Sequence, residues 1–317
     1  MISSEIEDLM SELKNMATQQ AEEFETIMYE NVMIQNNQRD LFLASLWGKW
    51  HRGFVAYEAM YLMTVEMIQK YRNEIESDEK NEVEPKYFAL LNIHGRACQI
   101  FIEILCLLKN GFADGAFARW RSLFELSIYA IFISQNSENV AMEYIRQADT
   151  DENKAMWAKT ADCFRECKSN ITIKKIFDNC KFSTENNELW WKQYELSSKT
   201  VHASSQGTMK RMANTGGKAR VYSYDGTYKE LESFIPVGAS DWGLHVPAEH
   251  AVITFYQISV AFFSLSCANA EYMLMIKVLG NWVDIVRKHL YETVATCFPG
   301  VEEAAEIYKK YLQELEK

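Results

Sequence analysis

Proline is scarce in this chain, 4 in 317 residues, and glycine is little commoner at 13. Chain breakers so rare leave long uninterrupted runs. In most of those runs apolar residues recur at three and four rather than at two, so the expected fold is all-α, a multi-helix bundle. Positive charge is also short: 33 Lys and Arg stand against 44 Asp and Glu, a net charge of −11. A surface basic all over, of the kind that coats nucleic acid, is excluded, and any anion site must be local. The first residues, with Ser3, Ser4, Glu5 and Glu7, contain neither a basic nor an apolar leader region, so a cytoplasmic protein with reduced thiols is expected. The seven cysteines are an odd number, and six of them sit in apolar helical patterns where a thiol acts as a small hydrophobe. Cys163 and Cys167 lie one helical turn apart, but no second Cys or His pair stands at matching spacing, so no metal is expected.

Other absences narrow the chemistry. No Glu-x-x-His occurs, which removes the usual ligands of a di-iron bundle. His245, Glu249 and His250 lack the order of a zinc protease, and there is neither Gly-x-Ser-x-Gly nor Gly-x-Gly-x-x-Gly, so hydrolase and dinucleotide readings have no support and no cofactor is expected. Residues 251–270 carry no charge and are long enough to span a bilayer. Thr254, Gln257, Ser259, Ser264, Ser266 and Asn269 interrupt them, and no Lys or Arg cluster flanks them, so a buried core helix is expected and no membrane.

Residues 1–37 form an acidic amphipathic helix, with eight carboxylates against Lys14 alone. Ser4 and Glu7 have capping-box spacing, and Ile6, Met10, Leu13, Ala17, Phe24, Ile27 and Ile34 trace a heptad-like seam on which Gln20 and Asn31 also fall. The helical core runs over 38–202. It has a helix from Arg39 to about Ile75, one from 86 to 109 stopped by Asn110-Gly111, and one from 113 to 134. A further helix starts at Ser137-Glu138, and another, capped by Ser183 or Thr184, carries Trp190, Trp191 and Tyr194. Residues 203–246 hold six of the glycines and read as a Gly-rich insertion, with Asp225-Gly226 as the turn of a short β-hairpin. The core resumes over 247–317. Pro247 opens a long helix to about Val278, another follows from Asn281, and a last amphipathic helix has Val301, Ala304, Ala305, Tyr308, Leu312 and Leu315 on one face.

The helix over 86–109 is nearly all apolar, yet Asn92, Arg96, Gln99 and Glu103 draw one polar stripe along it. The next helix offers Arg121 and Glu125. If the turn at 110–114 makes the two antiparallel, Arg96, Glu103, Arg121 and Glu125 are expected to meet as a neutral buried network that either fixes helix register or forms a polar pocket. His202 ends a Trp-rich helix beside Ser197, Ser198 and Thr200. An Arg and a His brought together bind a phosphate and move a proton. Between His202 and Tyr224 stand Lys210, Arg211, Lys218 and Arg220 with no acid at all and tyrosines nearby, a composition that suits single-stranded nucleic acid, a nucleotide or the acidic arm of another copy.

The run Gly111-Phe-Ala-Asp-Gly-Ala-Phe-Ala-Arg-Trp-Arg-Ser-Leu-Phe-Glu125, followed by Trp191 and Leu196-Ser-Ser-Lys-Thr-Val-His-Ala-Ser204, resembles the bacterial helical family DUF5677 over roughly 85–205. The resemblance implies a bacterial cytosolic α-protein and no established reaction. A looser likeness is to HEPN domains, helical bundles that cut RNA without metal, often as dimers in toxin and antiphage systems. Their cutting motif, Arg followed after four to six residues by His, precedes none of the six histidines here. What the likeness implies is therefore a composite site. Arg121 would hold the phosphate and His202 would carry the proton, with Glu125 as the third catalytic residue and Arg96, Glu103, Ser198, Lys210, Arg211, Lys218 and Arg220 as binding residues. On this reading the protein is an intracellular effector acting on RNA or a nucleotide in antiphage defence. The competing expectation is a non-catalytic sensor or adaptor that binds a ligand or partner protein and forms a homo-oligomer through its N-terminal helix.

Overall fold

A computed structural model describes residues 2–76, 83–150, 155–182, 187–201, 216–222, 226–234, 239–266 and 269–299, with positions 306, 309, 310 and 313. The cap at Ser183 or Thr184, the turn residue Asp225 and the whole face drawn through Val301, Ala304, Ala305, Tyr308, Leu312 and Leu315 lie outside these residues.

The chain divides into two units, Met1–Gly48 and Lys49–Lys317. The first belongs to helix α1, Ile2–Glu76, which runs on through position 38 where two separate helices were expected. The reason is local: no Gly or Pro stands between residues 2 and 47, so nothing there stops propagation. Within this unit Ile6, Met10, Leu13, Phe24, Ile27 and Ile34 are all exposed, as are Leu9, Met16 and Val32 beside them.

In the second unit α2 (Pro85–Lys109) opens with Pro at its first position, where the missing N–H is no loss. It closes at Asn110-Gly111 as the sequence predicts. The Phe112 N–H donates to the Leu107 carbonyl (2.9 Å) and that of Gly111 to Leu108 (3.0 Å), the paired bonds of a Schellman stop. Gly111 takes a φ of 79° there, which a Cβ would strain, and its carbonyl accepts from the Ser240 N–H at 2.9 Å. Gly111→Ala is expected to lower stability by about 1–2 kcal/mol, read as an earlier denaturant midpoint at unchanged slope.

The chain then reverses into α3 (Ala113–Gln135) and continues through α4 (Glu138–Gln147), 3-10 turns at Met156–Thr160 and Asp162–Phe164, α5 (Ile173–Asp178) and α6 (Asn187–Val201). After the intervening segment come α7 (His245–Phe263) and α8 (Ala270–Cys297). The single long helix expected to reach Val278 is broken. Residues Ser264–Ser266 tighten into a 3-10 turn and the Ser264 hydroxyl bonds back to the Ala261 carbonyl (2.9 Å). Asn269 then caps α8 by accepting from the Glu271 N–H (2.9 Å). Gly216–Tyr222 (β1) and Tyr228–Phe234 (β2) pair antiparallel, with Lys218 opposite Glu232 and Arg220 opposite Glu230.

Helices α2, α3 and α7 pack on one another as the centre of this unit, α8 lies against α7, α4 against α2, and α5 and α6 against α3. The latter half of α1 completes the core. Tyr57 stacks on Phe101 at 4.0 Å and donates to its carbonyl at 3.0 Å, and the Trp282 indole donates to the Ala56 carbonyl at 2.8 Å. Among the described residues one helix, α2, is long and apolar enough to cross a membrane. Here its apolar residues pack within the bundle.

Candidate functional site

The α2–α3 reversal brings polar side chains together, but in different pairs from those the stripe suggested. Glu103 pairs with Arg119 across the two helices. Both stand eight residues from Gly111, one before it and one after, so an antiparallel hairpin sets them side by side. Arg121 lies two residues further along α3, about 200° round its axis, and faces α6 instead. Its guanidinium meets Glu125 at 3.2 Å and the Tyr194 hydroxyl at 3.3 and 3.4 Å, while that hydroxyl donates to Glu125 at 2.6 Å. Arg96 stays on the surface and bonds Gln99 on its own helix. The expected four-membered buried network is therefore two separate, partly exposed clusters, and Arg119 and Tyr194 are members that sequence reasoning missed.

The Arg121–Glu125–Tyr194 triangle is closed on all three sides. The guanidinium also lies 5.3 Å from the centre of the Tyr194 ring, and burial together with the Glu125 bond pushes the phenol up to about 12. Burial opposes the Arg121 charge, but Tyr194 and Glu125 outweigh it and hold the guanidinium protonated. Ser198 gives its hydroxyl to the Tyr194 carbonyl of the same helix (3.0 Å). His202, Lys210 and Arg211 lie outside the described residues, and Lys218 and Arg220 are placed only by the strand register given above. Cys163 and Cys167 fall in a 3-10 turn and the loop after it, not on one α-helical face, and among the described residues no three His, Cys, Asp or Glu gather as metal ligands.

One turn beyond Glu125 on the same face of α3, Tyr129 opens into a pocket of about 460 Å³ between α2, α3, α4 and the first 3-10 turn. Phe88, Asn92, Tyr129, Tyr144, Gln147 and Trp157 form its walls, and Ala89, Ile145, Ala148 and Ala155 leave its space open. None of these carries a charge. Trp157 meets both tyrosines edge to face, at 5.5 Å from Tyr129 and 5.1 Å from Tyr144, so the three rings make one packed wall. Burial, helped by the Glu125 charge, pushes Tyr129 up to about 12, and burial raises Tyr144 as well, so both phenols remain protonated donors. Neither phenol oxygen has a hydrogen-bond partner among the described residues.

Residues 87–181 match the family model of DUF5677, a family of unknown function. Every described residue lining the pocket lies in this matched stretch, as do Glu103, Arg119, Arg121 and Glu125. The match ends before Trp191 and the run over 196–204, so it takes in the first of the two motifs that carry the resemblance and leaves out the second. No curated protein and no solved structure matches the chain. The pocket itself was hidden in the sequence because Phe88, Tyr129, Tyr144 and Trp157 look like core aromatics. A signal that the sequence offers is Asn92, a polar residue on a largely apolar helix.

Proposed function

We propose that the protein is a helical sensor or adaptor, which takes a small molecule into the α2–α4 pocket of its DUF5677 region and assembles with a second copy through its N-terminal helix. The pocket carries this reading. It is concave, walled by aromatic rings, supplied with a few converging polar groups, and of the size that small-molecule sites have. Among the described residues that line it none has a side chain that titrates near neutrality, which suits it to binding rather than to proton transfer.

Assembly is supported by the exposed seam of the first unit. Positions 6, 10, 13, 17, 20, 24, 27, 31 and 34 alternate at four and three, and the apolar ones are from 46% to 66% exposed at Ile6, Met10, Leu13, Phe24, Ile27 and Ile34. An isolated helix has little to hold it, and a heptad seam is covered by another helix. Asn31 on that seam favours two strands in fixed register. Two such arms repel, since each carries a net −7 over residues 1–37, so the dimer is expected to tighten as salt rises.

A second reading rests on one observation: the Arg121 side chain is 30% exposed, open enough to receive a phosphate. On that reading the protein is a HEPN-like, metal-independent ribonuclease or nucleotide-acting effector of antiphage defence. Residues 203–246 would be a Gly-rich insertion whose hairpin presents Lys218 and Arg220, with Lys210 and Arg211, to RNA, and His202 would carry the proton.

The two readings separate in one experiment. Full-length protein is exposed to protein-free cell extract, washed and weighed by native mass spectrometry beside Ala148→Trp, which fills the pocket. In parallel it meets total RNA without metal beside Arg121→Ala and His202→Ala. Retained small-molecule mass in the wild type alone, with intact RNA, is the expected outcome. RNA cut by the wild type and spared by the variants, with no retained mass, establishes the ribonuclease instead. Sizing of Leu13→Lys/Ile27→Lys is expected to give half the wild-type mass, and an unchanged mass removes the arm from assembly.

A further inference from the structure

The lining of the pocket restricts what can enter it. No Lys, Arg, His, Asp or Glu is among the described residues that line it, so a phosphate, carboxylate or ammonium carried inside would lose water and gain no counter-charge from them. Cage recognition of an alkylammonium needs rings spread around a central void. Here Trp157 stands edge-on to Tyr129 and Tyr144 at 5.5 and 5.1 Å, in contact with them, and leaves no such void between the rings. Because the rings meet at 88° and 84°, they offer single ring faces, against one of which a flat ligand lies while meeting the edge of its neighbour.

Phe88 of α2 lines the same pocket and is 47% exposed, so its ring is open to a ligand there. One turn along α2, the Asn92 amide gives its N–H to the Phe88 carbonyl at 2.8 Å, which fixes the side chain and leaves Oδ1 as an acceptor without a partner among the described residues. Gln147 is likewise fixed, its Oε1 accepting from the Trp157 N–H at 3.0 Å. The described lining therefore offers two phenol donors and one amide acceptor beside the rings of Phe88, Tyr129, Tyr144 and Trp157.

We propose that the pocket binds an uncharged, planar heteroaromatic compound of nucleobase to nucleoside size, its ring lying against one of the faces that Phe88, Tyr129, Tyr144 and Trp157 offer. Its ring heteroatoms accept from the tyrosine hydroxyls and a ring N–H donates to Asn92. This rests on the ligand-binding reading above and adds the chemical class. Stacking supplies most of the affinity, and the hydroxyls select heteroaromatic rings over hydrocarbon ones. Tyr129 also connects the site to the Arg121–Glu125–Tyr194 triangle through consecutive turns of α3.

The test uses full-length protein and four probes, adenosine and indole as uncharged rings and AMP and indole-3-acetate as their charged counterparts, with binding measured by calorimetry. Adenosine and indole are expected to bind, and each charged counterpart at least about tenfold more weakly. Tyr144→Phe keeps the ring and the fold. It is expected to weaken adenosine by about three- to tenfold, the worth of one hydrogen bond, and to leave indole within about twofold. Ala148→Trp abolishes binding of both. Equal binding of AMP and adenosine, lost in Ala148→Trp, overturns the uncharged class while the pocket stays a binding site. Binding that survives Ala148→Trp places the ligand elsewhere and overturns the assignment. If none of the four binds, the class is wrong, and the mass retained from cell extract shows whether the ligand-binding reading falls with it.

Discussion

Acidification from pH 6.5 to pH 4 is expected to remove about 5 kcal/mol of stability, through two buried histidines alone. His94 is fully buried between Phe255, Phe262 and Phe263, with Ser259 Oγ 3.0 Å from Nε2 and Cys98 Sγ 3.4 Å from Nδ1. Burial pushes it down to about 4. His245, at the start of α7, is also held near 4, by burial first; the neighbouring Glu249 charge raises it and His250 lowers it. From α8, Tyr291 faces the His245 ring at 6.0 Å, while Arg287 and Tyr291 engage the two oxygens of Glu249 at 2.7 and 2.6 Å.

The sign follows from proton counting. Between the unfolded value of 6.5 and the folded value near 4, the unfolded chain binds the extra protons, so stability is complete above 6.5 and falls as the pH drops through the window. Each histidine accounts for about half of the loss across that window. His245 offers the cleaner check, because both of its ring nitrogens are buried without a hydrogen-bond partner among the described residues. His245→Phe keeps an aromatic ring beside Trp242 and Tyr291 and removes the proton. Denaturant melts at pH 7 and pH 5 should show the variant at least as stable as wild type at pH 7, by up to about 1 kcal/mol, with a shallower loss at pH 5. A pH dependence as steep as wild type would mean that His245 is not the group that titrates.

Trp120→Ala is expected to cost about 4 kcal/mol, the range for deleting a large buried aromatic. Trp120 is fully buried in α3, stacked on Phe117 at 5.4 Å and in contact with Phe124, Trp190 and His250. Its indole N–H donates to the Thr254 hydroxyl of α7 at 2.9 Å. It therefore joins three elements: its own helix, α7, and α6 through Trp190. Trp120→Phe isolates the polar part, since it retains most of the ring packing and removes the donor to Thr254, for about 1–3 kcal/mol. Because α6 also carries Tyr194, the alanine variant should loosen the Arg121 clamp, seen as faster amide exchange over α6 than over α8. Equal exchange in the two helices would place the weakened packing elsewhere.

Much of this architecture was legible from local chemistry. Asn110-Gly111 predicts the end of α2 because only a residue free of Cβ strain takes a φ of 79° there. The 3.6-residue apolar period predicts α2 and α3 to within a residue or two, since the burial of one helical face is written directly into the order of side chains. The break between α7 and α8 was less legible. Ser264, Ser266 and Asn269 were visible as polar interruptions, but the cap at Asn269 competes with continued propagation by amounts of about 1 kcal/mol, which sequence pattern alone does not weigh.

The sequence by itself determined the helical class, the acidic amphipathic arm and the existence of paired charges on α2 and α3, because each follows from composition and near-neighbour spacing along the chain. Only the tertiary structure decided that Glu103 takes Arg119, that Arg121 turns to Tyr194 on α6, and that Phe88, Tyr129, Tyr144 and Trp157 surround a space instead of filling one. A two-residue step on a helix turns a side chain about 200°, and an aromatic residue has the same apolar chemistry whether it faces a neighbour or a cavity. Which of these it does depends on the packing of segments far apart in sequence.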